Sequence, residues 1–190
     1  MRIPTVEKID MRKIICAFVV LLACQVAGFA QEHSQDRELW IRYASPEGRY
    51  AILMPEAPKL SSQETTGGDG SKLTQYLASL TKPTSVYIAA YFDRSATSTF
   101  SLDKAREGML EKVNGTLVSQ TPIAIGSYPG LEFRAFARTA AGDEFVVRAR
   151  VFDVDFRVYV LQYIVSRASE SPLAVKEGDK FFNSFALTSN

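Results

Sequence analysis

A single histidine, His33, occurs among the 190 residues, and it lies in a polar stretch near the N-terminus. A Ser-His-Asp or Cys-His arrangement therefore lacks its base, and histidine ligation of a metal has no cluster to draw on. Cysteine is almost as scarce, since the two present, Cys16 and Cys24, both fall before residue 30. No surplus of charge exists either: 22 basic residues meet 21 acidic ones. Such a balance gives no long-range pull on nucleic acid or on an anionic membrane. After residue 30 no apolar run approaches the roughly 20 residues of a membrane helix. Internal repeats are absent as well.

What the N-terminus does contain is an export pattern. "MRK" at Met11 precedes the apolar run Ile14 to Ala23, and "AGFA" places small residues at Gly28 and Ala30. A basic start, a short apolar core and small residues at that spacing are what a signal peptidase reads. Residues 1–30 are thus expected to be a signal peptide, with Met11 a possible true start, and the mature chain to begin at Gln31 in the periplasm or outside the cell. A competing pattern overlaps: "LLAC" resembles a bacterial lipobox, which would make Cys24 a lipidation site and the protein an envelope lipoprotein, although Leu22 is a less usual residue there. Removing the first thirty residues takes both cysteines, so the exported form has no thiol to pair. Residues 31–38 read as a polar leader and 39–190 as one domain. A domain of that size hides roughly 70% of its unfolded surface and needs no staple.

The hydrophobic periods divide this domain. Two short strands flank the turn Ser45-Pro46-Glu47-Gly48, "SSQETTGGDGSK" reads as a polar loop, and "LTQYLASL" and "SVYIAAYF" read as strands. From the N-cap Ser101 the apolar positions Leu102, Ala105, Met109 and Val113 follow a helical period, which Asn114-Gly115 stops. Four further strands lead to a second helix opened by Ser171-Pro172, with Ala174, Gly178, Phe181 and Phe185 along one side. The order ββββ-α-ββββ-α predicts an antiparallel α+β domain with a sheet of seven to eight strands.

Two arginines inside the most strand-like segment, Arg148 and Arg150, raise the question of a site. Hairpin loops at 140–142 and 153–155 would put Leu131, Phe133, Ala135 and Ala137 on one face with Val151, Ala149, Val147 and Phe145, joined by Tyr159, Leu161 and Tyr163. The opposite face would hold Glu132 against Arg150, Arg138 against Glu144, and Arg134 against Arg148, with Val158, Val160 and Gln162 beyond. Like charges directly opposite are unfavourable. Glu132 on the diagonal, water or an anionic ligand would offset them. The first reading is a solvated face with arginine stems lying over Val146, Val158 and Val160, on which Arg148→Gln leaves stability nearly unchanged. The second is a binding surface of Arg134, Arg148, Arg150 and Glu132 for an anion or a partner protein.

Other motifs carry less. "GGDGSK" lacks the spacing of a phosphate loop, "DVD" at Asp153 is too sparse for calcium, and "NGT" at Asn114 is accounted for as a helix stop. No metal and no cofactor is implied. Carboxylates are plentiful, but no spacing selects a catalytic pair.

"WIRYASPEGRYAILMPEAP", then "GSYPGLEFR", "RARVF" leading to Tyr159, and "KFFNSFAL" resemble a diffuse group of exported bacterial proteins of unknown function. More distantly, the element order is similar to the PsbP-like fold of the photosystem II extrinsic protein and of a Ran-binding nuclear import factor. Those relatives are non-catalytic partners of larger assemblies, so the resemblance implies a binding role; it places no functional residue. The expectation is an exported non-catalytic interaction or ligand-binding module for an unknown protein or small anionic ligand. An envelope hydrolase or lyase working through carboxylates is the alternative.

Overall fold

The computed structural model describes residues 40–67, 70–95 and 99–188. The expected signal peptide, Cys24, His33 and the polar leader lie outside the described residues. Five strands come first: β1 (Ile41–Ser45), β2 (Tyr50–Met54), β3 (Lys59–Thr66), β4 (Lys72–Thr81) and β5 (Ser85–Asp93). Helix α1 (Leu102–Lys112) follows, then β6 (Gly115–Ile125), β7 (Tyr128–Arg138), β8 (Glu144–Val154) and β9 (Arg157–Ser166). A 3-10 turn at Arg167–Ser169, helix α2 (Pro172–Asn183) and the two-residue β10 (Ala186–Leu187) close the chain.

Seven strands form one antiparallel sheet in the order β3-β4-β5-β9-β8-β7-β6, and β1-β2-β10 form a second, small one. The domain is α+β. Both faces of the large sheet are covered. On one, α2 and the small sheet bury Tyr87, Leu161, Tyr163, Phe181 and Phe182. On the other, Phe100, Leu102, Met109 and Leu110 pack over Phe133, Ala149, Val151 and Val158. No helix among the described residues is long and apolar enough to cross a membrane.

Both helices begin where their caps predict: Ser101 accepts from the Lys104 N–H and Ser171 from the Ala174 N–H. Asn114, at φ 48°, turns the chain out of α1. Leu110 takes the packing position expected of Val113, which as C-cap stays 37% exposed. The first half of the stretch read as a polar loop, 61–66, belongs to strand β3. Its polarity misleads because β3 is an edge strand with almost every side chain in water, so no face needs apolar residues.

The register of β7 on β8 is the expected one, Glu132 opposite Arg150, Arg134 opposite Arg148 and Arg138 opposite Glu144. The next hairpin is not. Val154 pairs with Arg157, leaving a two-residue turn at Asp155-Phe156 instead of a three-residue loop. Asp155 adopts φ 52°, a left-handed conformation that aspartate tolerates better than most residues. Arg94 fixes the turn, its backbone N–H donating to the Phe156 carbonyl and its side chain to the Asp155 carbonyl at 2.7 Å. The odd shift exchanges the faces of β9. Tyr159, Leu161 and Tyr163 therefore join the arginines, while Val158, Val160 and Gln162 go to the α1 side.

Candidate functional site

The arginine-bearing face is not the wet side of the sheet over its whole width. Helix α2 crosses it, brought close by Gly178: a Cβ there would stand 2.7 Å from Tyr163 Cδ1 and 3.1 Å from Arg148 Nη1. Val175, Asp179 and Phe182, spaced i, i+4 and i+7, share one side of that helix. All three meet Arg148, whose Nη2 donates to Asp179 Oδ1 at 2.7 Å and whose Nη1 donates to the Val175 carbonyl at 3.4 Å. Its guanidinium carbon lies 5.2 Å from the Phe182 ring centroid, and that of Arg150 lies 5.1 Å away.

Glu132 links the two guanidiniums. Its Oε1 accepts from Arg148 Nη2 at 3.3 Å, its Oε2 from Arg150 Nε at 2.7 Å. Arg134 turns elsewhere, donating to Glu170 Oε1 at 2.6 Å, just before the α2 N-cap. The side chains of Arg148 and Arg150 are 16% and 18% exposed, that of Arg134 30%. All four expected residues thus lie together, but Arg150 and most of Arg148 belong to the sheet–helix joint. The repulsion between Arg134 and Arg148 is offset by three carboxylates, with no anion required. The stems do not run over Val158 and Val160, which lie on the opposite face.

Beside this joint, where α2 stops short of the sheet edge, an open cleft of ≈ 290 Å³ remains. Strand β6 borders it with Ser119 and Thr121, Glu132, Arg134 and Arg148 form its floor, and Glu170 and Val175 form its wall. Pro122 is tolerated in β6 because this strand is the sheet edge. Around the corner Phe136 carries two guanidiniums, Arg134 at 4.7 Å and Arg167 at 3.8 Å from the ring centroid. Glu144, bound by Arg138, is held below the usual carboxylate range by that hydrogen bond.

Glu170, Asp179, Phe136 and Arg167 were not legible as site residues. One signal for Asp179 was available, an acid directly after the packing residue Gly178 and on the same side of the helix as Val175 and Phe182. Glu177, directly before Gly178, accepts from the Tyr87 and Tyr163 hydroxyls at 3.1 and 3.5 Å. Among the described residues no group of three or more histidine, cysteine or acidic side chains is placed to hold a metal ion.

No protein-family model matches the chain, and no curated protein matches it in sequence. Similar folds occur among solved structures. Cyanobacterial PsbP (CyanoP) from Synechocystis superposes with a TM-score of 0.53 at 10% identity, covering 88% of this chain and 98% of its own. PA94, a Pseudomonas aeruginosa protein of unknown function, gives 0.37 at 9% identity over 68% of this chain and 84% of its own. A Bacteroides thetaiotaomicron protein gives 0.43 at 13% identity over 78% of this chain and 48% of its own. At such identities CyanoP supports the PsbP-like fold alone.

Proposed function

We propose that the chain is an exported, non-catalytic binding module, and that the cleft between β6, β7 and the start of α2 is where it meets its ligand, an unknown protein or a small anion. The observation that carries this reading is the commitment of the cleft's carboxylates. Glu132 and Glu170 each accept from a guanidinium, and the nearby Asp179 does the same. Hydrolysis through carboxylates needs a pair in contrasting environments, one holding a proton and one free to act as base or nucleophile. Carboxylates tied to arginines suit recognition instead. Export rests on the pattern at Met11 to Ala30, with soluble release after Ala30 preferred over lipidation at Cys24.

The test is a photo-crosslinking residue at Thr121, an exposed position of β6 opposite Glu132, in cells that produce the protein. A discrete adduct that is lost with Arg134→Gln supports a binding cleft. Adducts that are absent, or indifferent to Arg134, overturn it.

A further inference from the structure

Five arginines and four carboxylates make up the ion pairs of the β7–β8 face and its rim. The least engaged arginine is Arg167. Its Nε is 3.9 Å from Glu144, an acid that already accepts from Arg138, and its side chain is 45% exposed. Arg167 and Arg134 both lie over Phe136, so their guanidinium carbons are separated by no more than the sum of their distances to that ring. Arg134 in turn is occupied by Glu170, whose own side chain is 30% exposed.

From this arrangement we infer that Glu170 is an internal stand-in for the ligand, that the cleft takes a carboxylate which displaces Glu170 from Arg134, and that Arg167, which lies on Phe136 outside the cleft's lining, swings over to join Arg134 on it. The inference rests on the binding-module reading above and names its ligand class. Arginine's fork matches a carboxylate in two parallel hydrogen bonds, and the 2.6 Å contact to Glu170 already places such a group on Arg134. A cleft of ≈ 290 Å³ lies at the lower limit of ligand pockets, about 300 Å³. That room suits a small acid or one acidic side chain. Across the cleft the Ser119 and Thr121 hydroxyls can donate to the second oxygen or to the rest of the ligand.

The experiment is an NMR titration of the whole mature chain with succinate and, separately, with a capped Gly-Glu-Gly peptide. Wild type is compared with Glu170→Gln, Arg167→Gln and Arg134→Gln/Arg167→Gln. Removing the stand-in is expected to tighten binding of at least one probe fivefold or more, with shifts at Arg134 and Phe136. The double arginine change is expected to weaken it at least tenfold, and the exposed Arg167→Gln alone to weaken it in a chain whose fold is undisturbed. Stronger binding of succinate identifies a free small acid, and stronger binding of the peptide identifies an acidic side chain of a partner. Equal affinities for wild type and Glu170→Gln, or binding indifferent to both arginines, would overturn the inference. If the Thr121 adduct survives such a result, the cleft still binds and only the carboxylate assignment is wrong; if the adduct is absent too, the module reading falls with it.

Discussion

Arg134 and Arg148 stand directly opposite each other on β7 and β8, and they point their guanidiniums at different carboxylates. Arg148 closes on Asp179 of α2 and on Glu132, Arg134 on Glu170 at the head of α2. Like charges at directly opposed positions cost stability. Here the cost is offset by Glu132 within the hairpin and by two neighbours the hairpin does not contain, Asp179 and Glu170. The pair also divides its roles: both line the cleft, but Arg148 is anchored chiefly in the sheet–helix joint by Asp179 and Glu132, while Arg134 pairs at the cleft with Glu170.

Phe185, just past the end of α2, stacks on Phe152 at 5.8 Å with rings 6° apart and meets Tyr159 edge-on at 5.4 Å. Phe185→Ala is expected to cost about 3–5 kcal/mol, the range for a buried phenylalanine. Lys180→Ala removes only an ammonium 4.5 Å above the Trp40 ring, worth about 0.5–1 kcal/mol at an exposed site. Urea midpoints for the two variants should differ accordingly. An unchanged midpoint for Phe185→Ala would contradict the packing.

Gly178→Ala tests the close approach of α2. Alanine is the better helix former by about 1 kcal/mol, so an unobstructed site would gain stability. The added methyl instead meets the buried Tyr163 ring at 2.7 Å. Overpacking of this kind costs about 1–3 kcal/mol, and calorimetry should show a net fall in Tm.

High pH should unfold the domain through its tyrosines. Burial, above all, pushes the phenols of Tyr50 and Tyr87 far up and that of Tyr163 up to about 12. An unfolded chain releases these protons near pH 10 while the folded one retains them, so the unfolded state gains as pH rises. The stability is therefore full below about pH 10 and declines above it, with the Tyr163 contribution lost by about pH 12. Tyr163→Phe should flatten part of that decline in unfolding free energies measured from about pH 8 upward. A curve that stays level past pH 10 would contradict it.

Export predicts a mature N-terminus at Gln31. Intact-mass spectrometry of the protein recovered from the producing cell decides between that, a lipidated Cys24 and a chain still carrying Met11.

Much of the fold could be read from the chain because local signals agreed with one another. Ser101 and Ser171 cap the helices they announce, and the β7–β8 register follows from alternation that is strong on one face and charged on the other. The β8–β9 register could not be read in the same way. Both faces of β9 are buried, Tyr159 and Leu161 on one and Val158 and Val160 on the other, so alternation carries no face information. The turn was set instead by Arg94, more than fifty residues away in sequence. The candidate site was half legible for a related reason. Its strand residues follow from pairing, but Asp179, Glu170 and Arg167 arrive from α2 and the turn before it, and their placement depends on where Gly178 lets the helix dock.

The most direct test sets the two opposed arginines against each other in the same pair of assays, urea unfolding and crosslinking from Thr121. Arg148→Gln should cost about 1.5–3 kcal/mol of stability, the scale of a charged hydrogen bond lost in a half-buried site, and leave the adduct largely in place. Arg134→Gln should cost under about 1 kcal/mol, as exposed pairs do, and abolish the adduct. The reverse pattern, with Arg134 needed for stability and Arg148 for the adduct, would contradict the division between joint and cleft.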